Sequence, residues 1–155
     1  MAIGGMFTQI HPVKVEATSS NCNAKHRVTL VVDFANSKKP LVRCAENFSG
    51  TGWQLFKATG VSVSGTDQYP EGFVCRIENV PTTSQQPCNS TPTYAQGGWA
   101  YFYASLQTSG KWVFSPTGSS LRKPPCGSAE GWRYFKANES PSKSPPRVNF
   151  KPFKC

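Results

Sequence analysis

The side chains that could act as acids, bases or nucleophiles are few and scattered. There are two histidines, His11 and His26, and neither lies in a recognisable catalytic motif. A hydrolytic triad would need a histidine beside a nucleophile and a third group to orient it. The eight carboxylates occur singly, whereas a glycosidase needs two that face each other across a cleft. Nucleotide-binding, metalloprotease and α/β-hydrolase motifs do not occur in the sequence. We therefore predict that the protein is not an enzyme, with no catalytic residues, no metal and no cofactor.

The cysteines predict a different chemistry. Six of them are spread along the chain, and no two have the C-x-x-C spacing of a zinc site or a redox dithiol. We expect disulfides, which form in oxidising compartments, and buried free thiols are the alternative. Fifteen pairings are open. Pairing of chain neighbours suggests the bonds Cys22–Cys44, Cys75–Cys88 and Cys126–Cys155. The predicted location is secreted or extracellular, including the cell wall, and since residues 1–6 lack a leader pattern we expect a leader to have been removed.

Aromatic residues cluster in one part of the chain. Ten of the nineteen fall between residues 94 and 135. In residues 99–104 (WAYFYA), strand alternation places the Trp and Tyr side chains on one face and the Ala and Phe side chains on the other. We expect the Ala/Phe face to pack on a helix and the Trp/Tyr face to form a wall for a planar ring or a sugar. The alternative is that the Trp/Tyr face is one side of a buried sheet. The predicted ligand-binding residues are Trp99, Tyr101, Tyr103, Trp112, Ser115 and Trp132.

Runs of β-branched and aromatic residues between Gly, Pro, Ser and Asn clusters predict a strand-rich chain. The predicted strands are residues 13–18, 28–34, 41–45, 61–64, 73–79, 99–106, 111–115 and 132–135. The clearest hairpin joins the sixth of these to the seventh, because Gly110 can take the positive φ that a short loop requires. Asp33 lies inside an apolar run, and we expect it to face solvent or to bond a turn.

One short helix is predicted over residues 49–60. The segment has a Ser or Thr N-cap, good helix formers in its second half and Gly60 at the C-terminal end. Trp53 and Phe56 are three residues apart on one face. They should be buried against a sheet, since a helix of about three turns is not stable alone. The predicted fold class is α+β, with mostly antiparallel strands and one packed helix.

Charge adds little to the functional prediction. The chain has 17 Lys and Arg against 8 Asp and Glu, a net charge of +9, and five of the basic residues lie in the proline-rich residues 136–155. We expect those residues to form an extended arm, ordered by a bond between Cys126 and Cys155. Positive charge favours acidic partners, but the basic residues are dispersed, so we expect no specific nucleic-acid partner. No apolar run approaches the ~18–20 residues of a membrane span.

Several segments together carry a family resemblance. The chain contains, in order, VTLVVDF at 28–34, TGWQLFKATG at 51–60, GFVCRIENVP at 72–81, GWAYFY at 98–103, GKWVFS at 110–115 and EGW at 130–132. In order and spacing they resemble the transcobalamin-like C-terminal domains of secreted actinobacterial proteins. The resemblance covers residues 22–135. It divides the chain into an N-terminal arm or tag-derived segment with the first strand (1–21), this domain, and a basic, Pro-rich C-terminal arm (136–155).

The resemblance implies a small β-grasp-like domain in which Cys22 pairs with Cys44 and Cys75 with Cys88. It also implies cobalamin as a ligand, because the animal relatives use such a domain as the lid over a corrinoid that a separate helical domain holds. Three functions are therefore open. The first is a secreted, non-catalytic binding or surface-interaction module, with a protein or glycan at the cell surface as partner. The second is a structural subunit of an extracellular filament or surface layer, which self-assembles when residues 1–13 or 136–155 add to a neighbour's sheet edge. The third is a corrinoid-binding lid.

Overall fold

The computed structural model describes residues 22 and 24–155. Its one α-helix within these residues is α1 (Gly52–Ala58), and single 3₁₀ turns occur at Tyr94–Gln96 and Pro141–Lys143. The strands are β1 (Arg27–Asp33), β2 (Leu41–Glu46), β3 (Val63–Gly65), β4 (Val74–Ile77), β5 (Gly98–Ala104), β6 (Val113–Phe114) and β7 (Ala129–Phe135). The predicted strand at residues 13–18, like the rest of residues 1–21, lies outside the described residues.

The described strands form two sheets. Five of them make a sheet in the order β2-β1-β7-β5-β6, and β3 and β4 make an antiparallel pair. Within the larger sheet β1 and β7 run parallel, with Leu30 opposite Glu130, and the other neighbours are antiparallel. The prediction of an α+β fold with mostly antiparallel strands and one helix is confirmed for this part of the chain.

Local sequence signals account for most element boundaries. Thr51 caps α1: its side chain accepts a hydrogen bond from the N–H of Gln54, and the Gln54 side chain accepts one from the N–H of Thr51. Gly60 follows the helix at φ +70°. Gly110 has φ +75° in the loop before β6, as the hairpin prediction required. The strand predicted at residues 132–135 starts three residues too late, because β7 begins at Ala129.

The helix covers one face of the large sheet. Leu55 and Phe56 are fully buried there against alternate residues of β1, and Trp53 is partly buried beside them. The Trp99 and Tyr101 side chains of β5 belong to this same core. The expectation that the Ala/Phe face of β5 packs on the helix is therefore wrong. We call this face of the sheet the helix side.

The opposite face, which we call the arm side, is covered by residues 136–155. Ala100, Phe102 and Phe135 form a small cluster there with Trp112. The chain after β7 runs across this cluster, and the Trp112 Nε1–H donates to the carbonyl oxygen of Val148 at 2.8 Å. The C-terminal segment is thus a layer of the fold, which explains why both faces of β5 are buried.

A carboxylate anchors this layer. Asp33 is fully buried on the arm side, and Arg147 donates to it from the backbone N–H at 2.8 Å and from the guanidinium at 2.9 and 3.0 Å. Arg133 adds a bond of 3.1 Å. Asp33 also accepts a hydrogen bond of 2.9 Å from the N–H of Ala35 in the following turn. The prediction that it bonds a turn is therefore confirmed, and the alternative that it faces solvent is wrong. Burial raises the pKa of Asp33, yet the hydrogen bonds from Arg147 and the charge of Arg133 outweigh it and hold that pKa below the usual value.

Three disulfides join the described parts of the chain. They are Cys22–Cys44, Cys75–Cys88 and Cys126–Cys155, the pairs that chain-neighbour pairing suggested. The last one ties the end of the C-terminal segment to the loop before β7. Within residues 22 and 24–155, no helix has the length and apolar character to cross a lipid bilayer.

Candidate ligand-binding site

The aromatic residues of the helix side stack on one another. Tyr101 on β5 and Trp132 on β7 are register partners, and their rings stack with centroids 4.5 Å apart. Trp132 also contacts Phe56 of α1 at 5.5 Å between ring centroids. Trp99 is held by a hydrogen bond of 3.0 Å from its Nε1–H to the carbonyl oxygen of Val80. Trp99, Tyr101 and Trp132 are 4–8% exposed and Phe56 is fully buried, so little of any ring is open to a ligand.

The structure separates two of the six predicted residues from the rest. Trp112 lies on the arm side, where it contacts Phe150 and the backbone of Val148. Tyr103 is partly buried under the guanidinium of Arg122, which lies 3.9 Å from the ring centroid. Neither side chain lines the cavity described below. The wall expected from Trp99 to Trp112 does not form, because these two side chains lie on opposite faces of the sheet.

The other four predicted residues, Trp99, Tyr101, Ser115 and Trp132, line one cavity of about 310 Å³. It opens beside the edge of β5, over residues 97–101. The rest of its lining consists of residues 72–74 and 114–119 with Pro92, Phe135 and Pro141. A broader depression of about 740 Å³ lies beside Cys44 and Phe48, but six of its ten lining residues are exposed, and half of the ten are polar or charged. The smaller aromatic cavity is the better candidate site.

The loop after β6 shapes the cavity mouth. The N–H of Ser115 donates to the carbonyl oxygen of Tyr101 at 2.9 Å, which extends the pairing of β6 with β5 by one bond. The Ser115 hydroxyl donates to the carbonyl oxygen of Thr117 at 2.7 Å. Further along, the carbonyl oxygen of Ser119 accepts from the N–H of Trp53 at 2.9 Å, so the loop is tied to the start of α1. These bonds hold the wall in place without a ligand.

Two buried polar atoms of the lining have no hydrogen-bond partner among the described residues. They are Nε1 of Trp132 and Oγ of Ser119, on residues that are 4% and 2% exposed. An unsatisfied buried donor costs about 1–3 kcal/mol of folding free energy. Sequence analysis identified Trp132 but missed Ser119, which carried no signal because it lies in a loop of small and polar residues. Both atoms have less than 1 Å² of accessible surface, so they lie beneath the cavity surface and not on it.

A buried carboxylate lies behind this wall. Glu130 is fully buried, accepts from the hydroxyl of Tyr101, and accepts from Nε of Arg122 at 3.1 Å. Burial raises the pKa of Glu130 to about 7, although the Tyr101 hydrogen bond and the Arg122 charge act in the opposite direction. Burial and the neighbouring Glu130 raise the pKa of Tyr101 as well. If the predicted strand had begun at residue 129, it would have included Glu130. Strand alternation would then have placed Glu130 on the same face as Trp132.

Among residues 22 and 24–155, one further group of reactive side chains lies close together. His26 lies 3.9 Å from Sγ of Cys126, and with Cys155 these residues have the ligand atoms of a small metal centre. Both cysteines are in a disulfide, so their sulfur atoms are not thiolate ligands. His11 lies outside the described residues.

The chain was compared with protein-family models, with curated proteins and with solved structures, and no match was found in any of the three.

Proposed function

We propose that this protein is an exported, non-catalytic binding module whose aromatic cavity at the edge of β5 takes the ligand. One observation carries the proposal: four of the six residues predicted from the sequence line one cavity. Three disulfides support export, because such bonds persist in oxidising compartments. A β-grasp-like arrangement of the sheet around α1 is part of the same proposal.

The non-catalytic part of the proposal is supported by how the buried carboxylates are used. Glu130 and Asp33 lie on opposite sides of the sheet, and each is held by arginine. Among the described residues that line the cavity, none carries a charged side chain. General acid–base chemistry needs a titratable group within hydrogen-bond reach of the reacting atom. The cavity offers mainly aromatic and other apolar surface, which suits recognition.

Binding can be tested by Trp fluorescence during titration with glycans, peptides, haem, cobalamin and small aromatic compounds. The matched variants are Phe114→Ala and Leu121→Ala, because both side chains are exposed apolar groups but only Phe114 lines the cavity. We expect Phe114→Ala to weaken binding severalfold and Leu121→Ala to leave it unchanged. A response to cobalamin alone would favour the corrinoid-lid function. No response to any compound would refute the binding of these ligand classes in the cavity.

A second candidate function, a structural subunit of an extracellular assembly, is supported by the outer edge of β5. β6 pairs only with Phe102 and Tyr103, and one further bond reaches Tyr101. Residues 98–100 have no strand partner on this edge within the described part of the chain. An open edge can accept a strand from a neighbouring molecule. Light scattering over a wide concentration range tests this function, and a protein that stays monomeric throughout would contradict it.

A further inference from the structure

We propose that the cavity at the edge of β5 takes a peptide: an extended, uncharged segment of a partner protein, which pairs with the open main chain of Trp99 and Tyr101. The inference rests on the proposed binding function and names the chemical class of its ligand. It differs from the second candidate function in its occupant, which is a segment of another protein and not a second copy of this chain.

Alternation along β5 decides which main-chain groups face its outer edge. In an antiparallel pair, the N–H and C=O groups of alternate residues point to the same side of the strand. The carbonyl oxygen of Tyr101 accepts from the N–H of Ser115, on the side away from β7. The N–H of Tyr101 and both main-chain groups of Trp99 therefore point to that side as well. Within residues 22 and 24–155, none of these three groups has a hydrogen-bond partner there.

The turn after β6 leaves this part of β5 unpaired. If β6 continued in the same register, Thr117 would lie opposite Trp99. The hydroxyl of Ser115 instead donates to the carbonyl oxygen of Thr117 at 2.7 Å and accepts from the N–H of Thr117 at 3.3 Å. The main-chain groups of Thr117 are thus used within the turn, and those of Trp99 remain open.

The cavity lies at this open edge. Its lining includes Trp99 from the helix side and both Ala100 and Phe135 from the arm side. A space that is bordered by residues of both faces runs around the edge of the strand between them. Gly97 and Gly98 also line it, and because they have no side chain they contribute main chain alone. The open groups of β5 therefore border the space in which a ligand would lie.

The spacing of these groups matches an extended peptide. Residues two apart in a strand are separated by about 6.6–6.8 Å, so the donor and acceptor of Trp99 and the donor of Tyr101 have the repeat of a strand. The main chain of a second strand complements this repeat, whereas a flat ring has no such series of donors and acceptors. In strand addition the main chain supplies affinity, and pockets for alternate side chains supply specificity. The cavity provides such a pocket on each face of β5.

The lining decides which segment can enter. Among the described residues of the lining none is charged, so a charged side chain would lose its hydration without gaining a partner. In the described part of a second copy, the longest open strand edge is β2, which carries Arg43 and Glu46. A cavity of about 310 Å³ also fits a single segment better than the edge of a folded domain. These features favour a short, uncharged segment of a partner protein.

The experiment compares three blocked pentapeptides, and calorimetry measures their binding to the full chain. The parent is acetyl-TVFVT-amide, which is uncharged. The second peptide has N-methyl groups on its phenylalanine and on the valine after it, so that one of the two must face β5 in any register. The third has lysine in place of phenylalanine. We expect either change to lower the affinity about tenfold, because the first blocks main-chain pairing and the second brings a charge to an uncharged lining.

Amide hydrogen exchange locates the bound peptide. The amides of Trp99 and Tyr101 should exchange fast in the free protein and about tenfold more slowly when the parent peptide is bound. The amide of Ala100 is the internal control, because it points to β7 and should exchange slowly in both states. The matched variants are Phe114→Ala and Leu121→Ala, both at exposed positions. Only the first removes a cavity side chain, and only the first should lower the affinity for the parent peptide.

Several results would overturn the inference. If the amides of Trp99 and Tyr101 already exchange slowly in the free protein, the edge is covered and cannot receive a strand. If the N-methylated peptide binds as tightly as the parent, the main chain is not recognised, and the binding function stands without strand addition. Equal binding of the lysine peptide would refute an uncharged ligand.

Two further results separate this inference from the proposed functions. Protection of the same amides that grows with protein concentration, in the absence of peptide, would assign the edge to a second copy and overturn the peptide ligand. If no peptide binds at millimolar concentration, the inference is wrong, and the titration with glycans, haem, cobalamin and small aromatic compounds decides the proposed binding function separately.

Discussion

The two faces of the large sheet bury one carboxylate each, and the two are held in opposite electrostatic conditions. On the arm side, Asp33 accepts several hydrogen bonds from Arg147 and Arg133, which keep its pKa low. On the helix side, Glu130 has one arginine and a tyrosine hydroxyl, and burial raises its pKa to about 7. Asp33 works as an ionic anchor for a proline-rich segment. Glu130 supports the wall of a cavity, where a neutral carboxyl group is tolerated.

The two faces of the sheet also differ in what covers them. The helix side is closed by α1, whose apolar residues bury most of their own surface. The arm side is closed by residues 136–155, which are poor in large apolar residues and rich in Pro, Ser and Lys. Such a segment cannot be held by hydrophobic burial alone. It is held instead by the Asp33 ion pairs, by the Trp112 hydrogen bond and by the Cys126–Cys155 disulfide.

The largest effect is expected from Asp33→Asn. Removing one partner of a buried ion pair leaves the other charges without compensation and costs about 3–5 kcal/mol. The Arg147 side chain is half-exposed, so water can solvate its charge when the carboxylate is removed. We therefore expect a loss at the lower end of this range, roughly 3 kcal/mol in the free energy of unfolding, measured by chemical denaturation. Asp67→Asn removes the same charge at an exposed position and should change the stability little. Equal losses in the two variants would show that Asp33 is not an anchor.

The second prediction concerns pH and Glu130. Between about pH 4.5 and pH 7 the folded state keeps a proton on Glu130 that the unfolded state has lost. Stability should therefore fall as the pH rises through this window, by roughly 3 kcal/mol in total, and level off above it. Asp33 acts in the opposite direction, because its lowered pKa adds stability that is lost as the pH falls below 3.8.

Thermal unfolding at several pH values checks this prediction. Glu130→Gln should flatten the fall between about pH 4.5 and pH 7, since the amide does not titrate. The matched control is Glu71→Gln, at an exposed position, which should keep the wild-type slope. A slope that persists in Glu130→Gln would mean that other groups produce it, and the contrast between the two carboxylates would disappear.

The third prediction tests how closely the helix side is packed. A Cβ atom on Gly52 would lie 2.5 Å from the Tyr101 hydroxyl oxygen and 3.2 Å from Oε2 of Glu130. Gly52→Ala should therefore destabilise the fold by about 1–3 kcal/mol, although Ala is the better helix former. Gly118→Ala, where a Cβ meets nothing within 4 Å, is the control and should be near neutral. A stabilised Gly52→Ala protein would show that Tyr101 and Glu130 can move apart.

The smallest effect is expected on the arm side from Trp112→Phe. The variant keeps an aromatic ring against Phe102 but removes the hydrogen bond to Val148. We expect a loss of about 1 kcal/mol, with faster hydrogen exchange concentrated in the amides of residues 144–154. Exchange that rises equally on both faces of the sheet would indicate that the arm does not open as a separate unit.

Much of the local structure was predictable. The cap at Thr51, the glycine after the helix and the positive φ of Gly110 are properties of a few neighbouring residues, and the structure contains all three. The disulfide pairs are those that chain-neighbour pairing suggested, although the sequence left fifteen pairings open. The parallel pairing of β1 with β7 was not predicted, because it joins segments about a hundred residues apart and leaves no local pattern.

The candidate site was predictable only in part. Alternation in residues 99–104 correctly separated two faces, but it could not say which one the helix covers, since both are buried. Asp33 looked like a solvent-facing or turn-bonding residue because its counter-charge, Arg147, comes 114 residues later in the chain. Ser119 and Glu130 have no motif around them, and their roles depend on contacts with Trp132, Tyr101 and Arg122 that only folding brings about.

By itself, the sequence indicated where most of the strands, the helix and the turns lie, suggested one pairing of the cysteines, and showed that aromatic side chains gather around β5. These features depend on residues close in the chain, on side-chain period and on backbone freedom at glycine. The tertiary structure decided which face of β5 is covered by the helix, how the arm is held, and which side chains line one cavity. That cavity brings together residues 72–74, 97–101 and 114–119 with Trp132. Their meeting depends on the register of β5 with β7 and on buried charges that find partners only across the fold.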